Sequence, residues 1–213
     1  MKLYEVNWQS VYSGTPPSEL ERLQYYCSIA PDQRLAIEIG THEGASAAIL
    51  AQWFETVICI DPWGDHELLY PSDRMATFAG KNPGGSPHFL ACMGNLVRLG
   101  LFDRVIPIVN TPIVLEKLPS LNAGLIFVDD GHVYSACSKD IKRSLPHLHQ
   151  DGLLVCHDYC RPGYGRPPYN PDDPNHSPVD PYIGVQQAVD EAIIKYNLEV
   201  VDHFEGIVCL KQA

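Results

Sequence analysis

Residues 35–63 read LAIEIGTHEGASAAILAQWFETVICIDPW, and the order of residue types in this stretch decides the fold. LAIEIG (35–40) is a short apolar run rich in β-branched residues, as a buried strand requires. A turn flanked by Gly40 and Gly44 follows. ASAAILAQWFE (45–55) then places Ile49, Leu50, Trp53 and Phe54 on one helical face, and VICID (57–61) is a second strand. A strand, a helix and a strand in so short a span make a βαβ unit, whose strands lie parallel in one sheet.

The same alternation continues outward. RVIPIV (104–109), GLIFVD (124–129) and GLLVCHD (152–158) are further strands. Between them lie SPHFLACMGNLVRLGL, where Ser86 and Pro87 are N-cap and first-turn signals, and the short helix PIVLEKL. VYSACSKDIKRSLPHLH carries Tyr134, Cys137, Ile141, Leu145 and Leu148 at three- and four-residue steps, an amphipathic helix. After the helix GVQQAVDEAIIKY, the strands LEVVDHF and GIVCLK meet at a tight Glu205-Gly206 turn and form a hairpin. The expected fold class is therefore α/β: a doubly wound, seven-stranded sheet, mostly parallel, with a C-terminal antiparallel hairpin.

Residues 1–34 include SELERLQYYCSIA, with Leu20, Leu23 and Tyr26 in helical register, and predict an N-terminal helical cap on a domain spanning 35–213. Cys160 to Tyr182 holds seven of the eighteen prolines, so neither a helix nor a central strand is expected there. The 160–182 segment reads as a long proline-rich loop, either a lid over a site or a flexible connection. Tyr164, Tyr169 and Tyr182 would supply such a lid with an aromatic wall.

With 45% hydrophobic and 19% charged residues the composition is that of a globular protein. The net charge of −11 repels phosphate backbones and anionic lipid, so neither nucleic acid nor membrane is expected as a partner. A small-molecule partner, uncharged or cationic, fits better, and a homo-oligomer stays open. The N-terminal stretch shows no signal-peptide run, and no segment reaches the roughly 20 apolar residues that span a bilayer. A cytoplasmic protein is expected. Seven cysteines without a CxxC pair read as reduced core residues.

In open α/β sheets ligands bind at the carboxyl ends of the strands. The first such turn, EIGTHEGAS, joins Gly40 and Gly44 in a GxxxG spacing, with Ser46 in the first turn of the helix and Glu38 just before. A pyrophosphate requires the denser GxGxxG pattern, whereas a nucleoside with an amino-acid tail does not. Asp61 ends the second strand about 20 residues on, where an acid accepts hydrogen bonds from ribose hydroxyls.

AIEIGTHEGASAAILA followed by VICIDPW resembles the cofactor half of class I S-adenosylmethionine-dependent methyltransferases, a Rossmann-like family. The resemblance runs on through LIFVDDGHVYSACSKDIKRSLPHLHQDGLLVCHDY and GVQQAVDEAI, about residues 35 to 210. It is closest to the small-molecule branch with catechol O-methyltransferase and the sugar O-methyltransferases of antibiotic pathways. It implies S-adenosyl-L-methionine as cofactor, with Gly40 and Gly44 along its methionine part, Asp61 at the ribose and Thr111 near the adenine. It also implies transfer of a methyl group to a hydroxyl.

Deprotonating that hydroxyl calls for a base, and a divalent cation on the oxygen eases it. Asp129 ends the fourth strand, and His157 with Asp158 ends the fifth, its neighbour in this fold. The resemblance implies these as ligands of Mg²⁺ or Mn²⁺, and His132 as the base, with an imidazole pKa suited to proton abstraction. Relatives often carry Asp-Gly-Asp-His where this chain has Asp129-Asp130-Gly131-His132, so the second acid is shifted by one place. His157 stands where many metal-dependent members have an acid. Two other readings remain at this point. One is a metal-dependent oxygenase using His132, Asp129 and His157 as its triad, and the other is a cofactor-binding module without catalysis.

Overall fold

The computed structural model describes residues 6–63, 87–159 and 181–213, without the side chains of 181–183. Residues 64–86, with the Ser86 cap signal, and residues 160–180 of the predicted loop, with Tyr164 and Tyr169, lie outside the described residues.

Among these residues one sheet has seven strands: β1 (Leu35–Ile39), β2 (Thr56–Asp61), β3 (Val105–Val109), β4 (Ala123–Val128), β5 (Leu148–His157), β6 (Leu198–Phe204) and β7 (Ile207–Gln212). Their order is β3-β2-β1-β4-β5-β7-β6. β1 to β5 run parallel, while β7 is antiparallel to both β5 and β6. The fold class is the one expected from the sequence.

The helices are α1 (Pro17–Ile29), α2 (Ala45–Trp53), α3 (Pro87–Arg98), α4 (Tyr134–Ser144) and α5 (Pro181–Lys195). They cover both faces of the sheet. On one face Ala36, Val57, Cys59, Leu125, Phe127 and Val155 form a core with α1, α2 and α3. On the other, Ile37, Ile39, Ile58, Ile60, Ile126 and Val128 form a core with α4 and α5. Because successive side chains of each central strand enter opposite cores, these strands read as unbroken apolar runs.

α1 buries Leu20, Leu23, Tyr26 and Cys27 in the first core and is tied to the terminal hairpin. The Tyr26 hydroxyl donates to Asp202 at 2.6 Å, Arg22 Nε donates to the same carboxylate at 2.7 Å, and Ser18 donates to Glu205 at 2.7 Å. Some element ends differ from expectation. α4 stops at Ser144 and Leu145–His147 forms a 3-10 turn, because Pro146 has no N–H to continue the ladder. β5 starts at Leu148 instead of 152: its exposed polar residues Gln150 and Asp151 mask a register shift in the pairing with β4. α5 starts at Pro181, inside the segment predicted to be loop. Cys27, Cys59, Cys92, Cys137, Cys156 and Cys209 are buried free thiols, as expected. Among the described residues no helix is long and apolar enough to cross a membrane.

Candidate active site

The turn after β1 is wedged between its neighbours. Gly40 N donates to the Ile60 carbonyl at 2.9 Å, and Asp129 N donates to the Ile39 carbonyl at 2.8 Å. Gly40 has φ of 89°, and a Cβ there would collide with the Asp129 carbonyl and stand 2.8 Å from Asp130 Cα. Here glycine is required by the approach of another chain segment, so the turn and the end of β4 touch directly. Gly44 caps α2 with φ of 88°, and its missing Cβ leaves room for Cys92 Sγ.

Asp61 is 4% exposed and organises this turn. One carboxylate oxygen accepts from His42 N at 2.8 Å, the other from Trp63 N at 2.6 Å. Each oxygen keeps a second lone pair for a ligand hydroxyl. His42 and Trp63 hold positive φ of 49° and 41°, a strained geometry that the Asp61 contacts maintain. Trp63 is 2% exposed; its indole N–H donates to the His42 carbonyl at 2.7 Å and its ring meets Phe89 edge-on. Thr111 lies at the same edge, one residue beyond Asn110, whose N–H donates to the Asp61 carbonyl at 3.2 Å.

Glu38 points into the first core beside Ser46 and Thr41, with Cys59 Sγ at 3.3 Å. Burial raises its carboxyl to about 7, against the pull of the Ser46, Thr41 and Cys59 donors. Its Oε1 is unpartnered among the described residues. Thr41 was not singled out in the sequence, since a threonine in a turn carries no motif of its own.

The second group gathers at the ends of β4 and β5. Oxygen and nitrogen atoms of Asp129, His132 and Asp158 all lie within 4.8 Å of one another, close enough for one cation. His132 Nδ1 is 2.8 Å from Asp158 Oδ2. Asp158, with φ of 61°, is 4% exposed. Burial works against its charge, but the hydrogen bonds and charges of His132 and His157 hold its carboxyl well below the usual range. His132 differs from the near-neutral imidazole expected: burial lowers its pKa, yet the Asp158 bond and the charges of Asp158, Asp129 and Asp130 outweigh this and raise it to about 9.

His157 adjoins that group, with Nδ1 3.6 Å from Asp158 Oδ1. Its Nδ1 is 2.9 Å from Asp129 Oδ1 and its Nε2 is 2.6 Å from Glu19 Oε2, so each ring nitrogen faces a carboxylate. Although burial disfavours the charged ring, these acids raise it well above the ordinary histidine value. Both nitrogens of the imidazole expected as a ligand are thus turned toward acidic side chains. Glu19 escaped the sequence reading, since it lies 138 residues from His157 on a helix with no motif. Asp130 has its carboxyl raised by burial and by Asp140 and Asp61, with Oδ2 unpartnered among the described residues.

Two carboxylates and an imidazole provide hard and borderline donors that suit Mg²⁺, Mn²⁺ or Zn²⁺. Beside a turn that can hold a nucleoside, they suit group transfer to an oxygen.

Residues 37–159 match the family model described as a methyltransferase domain, and the chain belongs to this family. No curated protein matches it in sequence. Among solved structures, the O-methyltransferase from Bacillus cereus in complex with SAH superposes with a TM-score of 0.65 at 15% identity, over 93% of this chain and 82% of that one. Cofactor-bound Rv0187 from MTB gives 0.65 at 16% identity, over 95% and 83%. The SAM-dependent O-methyltransferase from Thermotoga maritima gives 0.56 at 14%, over 95% and 68%. At these identities the likeness is one of fold.

Proposed function

We propose that this protein is an S-adenosylmethionine-dependent methyltransferase acting on a hydroxyl of a small molecule in the cytoplasm. The observation that carries the reading is the Gly40–Asp129 contact, which sets the glycine turn and Asp61 against the Asp129–His132–Asp158 group along one sheet edge. Membership of the methyltransferase-domain family supports it, as do neighbours named as O-methyltransferases.

In the reaction the acceptor oxygen attacks the sulfonium methyl carbon in line, the C–S bond breaks and its electrons stay on sulfur. Gly40 and Gly44 shape the turn for the methionine part, and Asp61 and Thr111 lie along the nucleoside. The acceptor proton passes to Nε2 of His132 in its neutral form, while Asp158 holds Nδ1 and orients the ring. Asp129 and Asp158 would hold a divalent cation, whose positive charge would polarise the acceptor oxygen and offset the carboxylates that favour His132 protonation. The oxygenase alternative needs a second histidine in the group, and both nitrogens of His157 face Asp129 and Glu19.

Calorimetry with S-adenosylmethionine, with and without Mn²⁺, tests the reading. Saturable binding is expected, and its absence under both conditions would sink the proposal. With a panel of catechol and sugar acceptors, His132→Ala should lower methyl transfer by about 10²–10⁴-fold; an unchanged rate would remove His132 from the mechanism.

A further inference from the structure

The N-terminal segment reaches the catalytic edge through Thr15 and Glu19. Glu19 lies in the first turn of α1 and is 1% exposed. Its Oε1 accepts from Gly206 N at 3.1 Å, in the turn between β6 and β7, and its Oε2 is 2.6 Å from His157 Nε2. His157 passes the contact on to Asp129 Oδ1 at 2.9 Å, while the Thr15 hydroxyl donates to the other oxygen, Oδ2, at 3.4 Å. Thus both oxygens of Asp129 have partners traceable to residues 15–19, more than 100 positions away in sequence. Two of these links are buried, with the His157 and Glu19 side chains 4% and 2% exposed.

An acid inside a protein is costly unless it is paired. Gly206 N–H would be served equally by an uncharged side chain, whereas the buried imidazole 2.6 Å away favours a carboxylate at position 19. Ligands held by such outer partners lose affinity for their ion when the partner is removed.

We propose that Glu19 is a positioning residue: through His157 it fixes the carboxylate plane of Asp129, which makes α1 part of the catalytic edge. This rests on the reading of Asp129 as a cation ligand. Glu19→Gln separates the two jobs of the residue, because the amide oxygen still serves Gly206 while the charge facing His157 is gone.

The test uses the full chain, with Mn²⁺ and S-adenosylmethionine as calorimetric probes. Glu19→Gln should weaken Mn²⁺ binding by about 10–100-fold and leave S-adenosylmethionine binding within about twofold, since the glycine turn and Asp61 do not contact Glu19. His157→Asn, which keeps the Glu19–Gly206 bond, should show the same split and covers the case in which the first variant fails to fold. Wild-type Mn²⁺ affinity in a folded variant would overturn the proposal. If the native chain binds S-adenosylmethionine but no Mn²⁺, the cation reading fails while the methyltransferase reading stands. Imidazole N–H proton resonances then decide the brace itself: the low-field signal of the His157 Nε2–H, assigned by nitrogen correlation and by its loss in His157→Asn, should vanish in Glu19→Gln, and its persistence would overturn the proposal.

Discussion

Glu38 shows how a single side chain ties stability to the site. Its folded value of about 7 lies above the ordinary 4.5, so between these pH values the folded chain holds a proton that the unfolded chain has released. Stability from this residue is therefore present below about pH 4.5 and lost as pH rises through about 7. Glu38→Gln cannot ionise and escapes the loss. In the absence of ligand, its stability relative to the native chain should rise between pH 5 and pH 8 by on the order of 3 kcal/mol. Urea unfolding at the two pH values reads the difference, and a pH-independent offset would contradict it. At this scale the strand-end residues Asp61, Asp129 and Asp158 were legible, because a polar residue ending an apolar run announces its place. Glu19 and Thr41 were not, since each takes its meaning from a partner that folding brings to it.

Among the elements, α1 is the one whose role changed most between pattern and structure. Its register of Leu20, Leu23 and Tyr26 announced a packed helix but not which strands it meets. The structure ties it to the β6–β7 hairpin through Asp202 and Glu205. Tyr26→Phe removes a buried hydroxyl from a charged acceptor and should cost about 1–2 kcal/mol. A lower urea midpoint at unchanged slope is the expected result, and an unshifted midpoint would show that Arg22 alone holds Asp202. The central strands were legible because parallel strands buried on both faces have few polar interruptions. The start of β5 was hidden by Gln150 and Asp151, and Pro146 ended α4 inside a run of helical period.

For the whole molecule, the order β3-β2-β1-β4-β5-β7-β6 brings the ends of β1, β2, β4 and β5 to one edge. A cofactor that bridges those ends binds only the folded chain. S-adenosylmethionine at 100 times its dissociation constant should therefore stabilise the protein by about 2.7 kcal/mol, seen as a concentration-dependent rise in melting temperature. A melting temperature independent of S-adenosylmethionine would count against the site.

The sequence by itself determined the α/β class, the terminal hairpin and the strand-end acids, because these follow from local periodicity and from where apolar runs stop. Tertiary structure alone decided that Gly40 is a glycine to admit the Asp129 carbonyl, and that the His157 ring stands between Asp129 and Glu19. It also decided that an acid of the N-terminal helix closes the network. The physical reason is range: hydrophobic pattern and turn chemistry act over a few residues, whereas a buried carboxylate and its partner are matched only when packing places them together.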